Sequence, residues 1–397
     1  MEARSQLRHR PFFELSPSIY HAIDIANRIL IRCAVMDIRP SRRDLLATLA
    51  GLGAGAWVSS GRLPAQGRAA NPRAIDCHHH FVSPGWVKAL AAKEGHHVQG
   101  YTTWFALDRL KDYTAAHDIE EMDRDGVATS MLSVTTPGIW FGDPEESRRL
   151  AREMNEFAAK MVSDYKGRFG LFAVLPLPTI DDSLREIEYA FDTLKADGVG
   201  LVSSYGNHWL GDPMFRPVFE ELNRRQAVVY THPTDGPCCQ DLFPNSQPGT
   251  VEYNTDTART IYSLVQGNDP TKFAATRYAD IRFIFSHAGG TMPSLIERFG
   301  VGAPDTIADN LAKAAESNSR LYHLRRFYYD TAQSTNPVQM QGLKTIVGAS
   351  QIVFGTDYPF NTAGRHLAGL AKCGFTAEEL RGIRRENAVK ILPKYKA

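Results

Sequence analysis

Ile75-Asp76-Cys77-His78-His79-His80-Phe81 is the stretch on which the reading of this chain turns. It carries three consecutive histidines at the end of a short run that begins with Ile75. A buried parallel strand is normally apolar throughout, so polar residues at its C-terminal end call for a chemical explanation. Side chains alternate along a strand, which puts His78 and His80 on one face and His79 on the other, toward a helix layer. Two imidazoles on one face make half of a metal site.

Outward from this stretch, the chain alternates short β-branched runs with longer amphipathic segments, the pattern of repeated βα units around a parallel sheet. Eight runs are legible, at 74–80, 127–134, 170–177, 198–204, 227–233, 281–287, 327–332 and 352–359. Helical spacing of apolar residues falls between them, at 145–165, 183–196, 213–225 and 292–299. The expected fold is α/β, a closed (β/α)8 barrel. A doubly wound open sheet is the competitor, but no glycine-rich phosphate loop follows the first strand. The stretches 81–114 and 238–255 are expected to be loops on the C-terminal face, where barrel enzymes place their chemistry.

Three further strands end in polar residues: Thr231-His232-Pro233, Ser286-His287-Ala288 and Gly355-Thr356-Asp357-Tyr358-Pro359. A lone histidine is more often a hydrogen-bonded core residue than a ligand, but four strand ends bearing such residues change that balance. His78, His80, His232 and Asp357 supply three nitrogens and one carboxylate. That set suits one divalent metal, zinc favoured and manganese the alternative. Strand four ends Val202-Ser203-Ser204-Tyr205, with no lysine or glutamate to bridge a second ion, so a mononuclear site is expected. His287 then becomes the candidate general acid or base beside the metal, its competing role being a fifth ligand or a supporting group. Trp86, Trp104, Trp140, Trp209 and Phe360 are candidates to line a flat pocket, with ordinary packing as the competing reading for each.

The composition sets outer bounds. The chain has 397 residues, 43% hydrophobic and 22% charged, enough for one large domain. Lys and Arg number 45 against 44 Asp and Glu, a net charge of +1 that offers no footprint for nucleic acid. Cysteines at 33, 77, 238, 239 and 373 form neither a disulfide framework nor a zinc-finger spacing. Residues 1–73 are expected to be a leader and 74–397 the barrel domain. Within the leader, Ser41-Arg42-Arg43-Asp44-Leu45-Leu46 precedes an uncharged stretch and resembles a twin-arginine export signal spanning about 36–70, with Met36 as a candidate true start. The competing reading is a surface helix or an unused leader, with a cytoplasmic protein. The apolar part is shorter than the ~20 residues a membrane-spanning helix needs, so it reads as removable and not as an anchor.

Three runs together resemble the amidohydrolase group that contains aminocarboxymuconate semialdehyde, resorcylate and methylsalicylate decarboxylases: residues 75–81, Phe285-Ser286-His287-Ala288-Gly289-Gly290, and Phe354-Gly355-Thr356-Asp357-Tyr358-Pro359-Phe360. The resemblance covers 74 to about 393. It implies metal ligation by His78, His80, His232 and Asp357, with His287 as the catalytic histidine. The His78 and His80 pair is nearer the aminocarboxymuconate and methylsalicylate branches, since some relatives carry glutamate at the first position. Asp256-Thr257-Ala258-Arg259-Thr260 resembles a region with a similarly placed arginine, which makes Arg259 a candidate for binding a substrate carboxylate, against a surface salt bridge. The implied activity is nonoxidative decarboxylation of an aromatic or unsaturated carboxylic acid by a homodimer. Hydrolysis of an ester, lactone, amide or carbon–carbon bond is the alternative, and a noncatalytic metal-binding barrel the third reading.

Overall fold

The computed structural model describes residues 73–93, 110, 113–239, 248–300 and 319–396. The leader, Trp104 and parts of both expected loops lie outside them. Eight parallel strands follow one another around a sheet: β1 (Ala74–His80), β2 (Val127–Ser133), β3 (Phe169–Val174), β4 (Gly198–Val202), β5 (Val228–His232), β6 (Arg282–Phe285), β7 (Tyr328–Asp330) and β8 (Ile352–Val353). The ring closes between its ends through backbone bonds from Cys77 N–H to Phe354 O (2.8 Å), Asp357 N–H to His78 O (2.9 Å) and His80 N–H to Tyr358 O (3.0 Å). The barrel expected from the eight apolar runs is therefore the observed architecture.

Longer helices alternate with the strands: α1 (Pro84–Ala91), α2 (Ala115–Asp125), α3 (Pro144–Asp164), α4 (Ile180–Glu188), α5 (Arg216–Arg224), α6 (Glu252–Leu264), α7 (Pro337–Val347) and α8 (Ala363–Leu370). In α3 the Asp143 side chain caps the first turn, Pro144 occupies a position where its missing N–H costs nothing, and Leu150, Ala151, Met154, Ala158 and Met161 face inward at helical spacing. Asn155 reaches from this helix to both backbone groups of Val174, at 2.9 and 2.8 Å, and so pins the end of β3. No helix among the described residues is long and apolar enough to cross a membrane.

Several boundaries depart from the sequence pattern for local reasons. The helix expected at 183–196 is α4 followed by a π-helical turn, Tyr189–Thr193. The one expected at 292–299 shrinks to a 3-10 turn, Met292–Leu295. The end of the expected loop 238–255 is already helical from Glu252. Strands six and eight stop short of their functional residues because His287 and Asp357 adopt left-handed backbone, φ 52° and 64°, which no strand accommodates. Strand one is irregular as well. Its pairing with β2 shifts between Asp76 and His79. Ile75 and Cys77 pack in the inner core with Met131, Phe172, Tyr230 and Val353, and the re-phased strand still turns His78 and His80 inward above them.

Gly355 marks the tightest point of the closure. A Cβ there would stand 2.7 Å from His78 Cβ and 2.9 Å from Asp330 Cβ. Gly355→Ala is expected to cost about 1–3 kcal/mol through overpacking. Urea denaturation measures the loss, and an unchanged midpoint would show that the seam has slack.

Candidate metal centre

The strand ends bring His78, His80, His232 and Asp357 together. One ligand atom from each lies within 4.8 Å of all the others, and all four residues are buried. Asp357 Oδ1 stands 3.1 Å from His78 Nε2, 3.1 Å from His80 Nε2 and 3.8 Å from His232 Nε2. Converging nitrogens and a carboxylate at such distances fit a single divalent cation. The opposite ring atoms support that fit, because each is held by an oxygen. His78 Nδ1 meets Asp330 Oδ2 at 2.8 Å, His80 Nδ1 meets Ser133 O at 3.3 Å, and His232 Nδ1 meets Pro233 O at 2.9 Å. This leaves Nε2 of every ring as the ligand atom.

The electrostatics divide the histidines. Burial lowers the pKa values of His80 and His232 to about 4, so both stay neutral and available as ligands. Burial opposes charge on His78 too, but the Asp330 and Asp357 carboxylates outweigh it and raise that pKa to about 10. At neutral pH a cation must therefore displace a proton from His78.

His287 lies beside this set, its ring centroid 5.0 Å from that of His78 and 6.0 Å from that of His232. Its Nδ1–H donates to Ala332 O at 3.0 Å, so Nε2 carries the lone pair. Burial lowers its pKa to about 4. A cavity of about 220 Å³ opens over the centre, lined by Thr136, His232, Tyr253, Asn254, His287, Gln333, Asp357 and Phe360 among others.

Other expected site residues are placed elsewhere. Arg259 is absent from the cavity lining. Its guanidinium faces Glu252 at 3.4 Å and Asp256 at 3.6 Å, with Cys239 Sγ at 3.5 Å. Of the aromatic candidates, Phe360 lines the cavity, while Trp86 is buried with its N–H on Gly138 O, Trp209 donates to Asp256, and Trp140 lines a separate apolar recess. Asp330 bears the same signal as the four named strand ends, a buried acid closing a strand, yet is missing from the set read from the sequence. Tyr253, Asn254 and Gln333 carry no such signal, because they come from a helix and a turn that only the fold brings over the strands.

His79 lies outside the cluster of converging ligand atoms. Its Nδ1 faces Asp76 Oδ2 at 3.1 Å, its Nε2 faces Asp118 Oδ2 at 2.9 Å, and its ring stacks on Tyr358 at 4.6 Å. Burial opposes its charge, but Asp118 and Asp76 outweigh the penalty and raise its pKa to about 9. His79→Leu would strand two buried carboxylates and is expected to cost about 3–5 kcal/mol. Because the folded pKa lies above the unfolded value of about 6.5, this stabilisation is complete below pH 6.5 and fades as pH rises through 9. Denaturation of parent and variant across that range measures it, and a difference independent of pH would reject the assignment of charge.

The family model described as amidohydrolase matches residues 75–394. A decarboxylase of Aspergillus niger is 33% identical over 340 residues, covering 81% of this chain and 88% of that protein. A 6-methylsalicylic acid decarboxylase of Aspergillus aculeatus is 34% identical over 340 residues, covering 81% and 96%. A dihydroxybenzoic acid decarboxylase from Polaromonas, solved with bound manganese, superposes with a TM-score of 0.64 at 20% identity, covering 82% and 98% of the two chains.

Proposed function

The chain belongs to the amidohydrolase family, and from that premise we propose that it is a metal-dependent, nonoxidative decarboxylase of an aromatic or unsaturated carboxylic acid. The likeness to decarboxylases over 340 residues carries the choice of reaction, since the same side chains would also serve hydrolysis. Of the substrate classes, a salicylate-type acid has the most direct support, from the 6-methylsalicylic acid relative.

His78, His80, His232 and Asp357 would hold one divalent metal. Zinc suits three nitrogens and one carboxylate, while manganese is the ion in the Polaromonas structure. When bound, that ion supplies a Lewis acid that holds and polarises the substrate carboxylate. The remaining work falls to the chain. Phe360 offers the cavity an apolar face, and Thr136, Tyr253 and Asn254 line it with polar groups. Burial holds the Tyr253 phenol well above its ordinary range, so it stays a hydrogen-bond donor at any working pH.

The net reaction consumes one proton and releases carbon dioxide. The carbon bearing the carboxylate is protonated first. The bond to the carboxylate then breaks, and its electron pair restores the unsaturated system. His287 would relay that proton through Nε2. Burial keeps the ring neutral at rest, the Ala332 carbonyl holds it in the tautomer whose Nε2 takes up a proton from solvent, and the imidazolium so formed is a strong donor because its pKa is low.

The proposal extends to two features outside the barrel: a homodimeric assembly, and export directed by the arginine pair at 42–43. Fractionation of cells making the full chain, beside a double variant carrying Arg42→Lys and Arg43→Lys, tests the export reading. The parent is expected in the periplasm and the variant in the cytoplasm, and identical distributions would reject the signal.

The deciding assay pairs metal content with carbon dioxide release on salicylate-type and muconate-like acids. One metal per chain with carbon dioxide release is expected of the parent. His287→Asn should keep the metal and lose about 10²–10⁴-fold in kcat, and Asp357→Ala should lose both. Turnover of lactones or esters without carbon dioxide would transfer the assignment to a hydrolase with the same centre.

A further inference from the structure

Residues 330–333, the end of β7 and the turn after it, make four contacts with the centre. Asp330 holds His78 Nδ1 at 2.8 Å, and its other oxygen accepts the His287 backbone N–H at 3.0 Å. Ala332 O accepts the His287 ring N–H at 3.0 Å. Gln333 donates its side-chain amide to Asp357 Oδ2.

The last contact divides the Asp357 carboxylate in two. Oδ1 faces the Nε2 atoms of His78 and His80 at 3.1 Å each, the place of a ligand atom. Oδ2 is occupied by the Gln333 amide. Gln333 reaches it from a left-handed backbone, φ 50°, which is costly for a side chain of this kind and persists only when its surroundings enforce it. The enforcing group is His366. The Gln333 backbone N–H donates to His366 Nε2 at 2.8 Å, and the buried His366 fixes its own tautomer by donating Nδ1–H to Thr362 O at 3.0 Å.

We infer that Gln333 is a positioning residue for the metal centre: it caps Oδ2 so that Asp357 binds through Oδ1 alone and keeps its proton-accepting oxygen engaged, which leaves the proton relay to His287. This rests on the four-residue metal reading above. An amide donor is suited to the task because it holds a carboxylate without adding charge, whereas a lysine or arginine at 333 would oppose the cation. Gln333 also lines the cavity, so the donor stands where an arriving substrate meets the ligand.

The experiment uses full-length protein stripped of metal and titrated with Mn2+ against a chromophoric chelator, and with Co2+ for its visible absorption. Gln333→Met keeps the length and loses the donor. Gln333→Gly removes the side chain and accepts the left-handed backbone without strain, so it decides the matter if the methionine variant folds poorly. Both variants are expected to bind Mn2+ about 10-fold more weakly or worse. Their Co2+ spectra should change in band position and intensity as Oδ2 becomes free to coordinate. Mn2+ affinity and a Co2+ spectrum equal to the parent's in both variants would overturn the inference while leaving the centre intact, provided Asp357→Ala loses its metal. A parent that takes up no stoichiometric metal overturns this inference and the functional reading together.

Discussion

One buried carboxylate joins the two ends of the barrel. Asp76 Oδ1 accepts the backbone N–H of His78 at 3.0 Å and that of Thr356 at 3.1 Å, and Oδ2 accepts the Thr356 hydroxyl at 2.6 Å. Residues 280 positions apart are thereby held in one register, Asp76 two residues before His78 and Thr356 directly before Asp357. The constraint is strict because the carboxylate lies in the protein interior, where every lost partner leaves an uncompensated desolvation penalty. His79 completes it by spanning Asp76 and Asp118. The middle histidine of the three thus serves the geometry of the seam, while its neighbours on either side belong to the cluster that could hold a metal ion.

The centre above that seam concentrates negative charge around nitrogen. Asp330 and Asp357 both face His78, and burial raises the energy of either one ionised alone. The convergence of three Nε2 atoms on the Asp357 carboxylate is what makes the arrangement read as a metal site. The same burial that makes the carboxylates demanding keeps His80, His232 and His287 neutral. His287 stands outside the four-residue cluster, its strand having already ended. Its left-handed backbone, held by Asp330, carries the ring beside the ligands instead of among them.

The turn 330–333 gathers these effects into one short segment. It supplies the oxygen that orients His78, the carbonyl that fixes the His287 tautomer and the amide on Asp357. One short segment therefore contacts His78, His287 and Asp357 together. Arg259 has no comparable reach. Its pairing with Glu252 and Asp256 uses its charge on the wall of α6.

The linear sequence determined the barrel and its strand-end histidines and aspartates, because apolar periodicity and misplaced polar residues are local signals that survive without coordinates. It placed His78, His80, His232, His287 and Asp357 at strand ends, and the fold brings all five to one centre. Tertiary structure alone decided the rest. The shift in strand one, the left-handed turns at His287 and Asp357, and the Gln333 amide on Asp357 arise where elements from distant parts of the chain meet. No spacing rule encodes those contacts, since each depends on closing a ring of eight strands before any of its parts can touch.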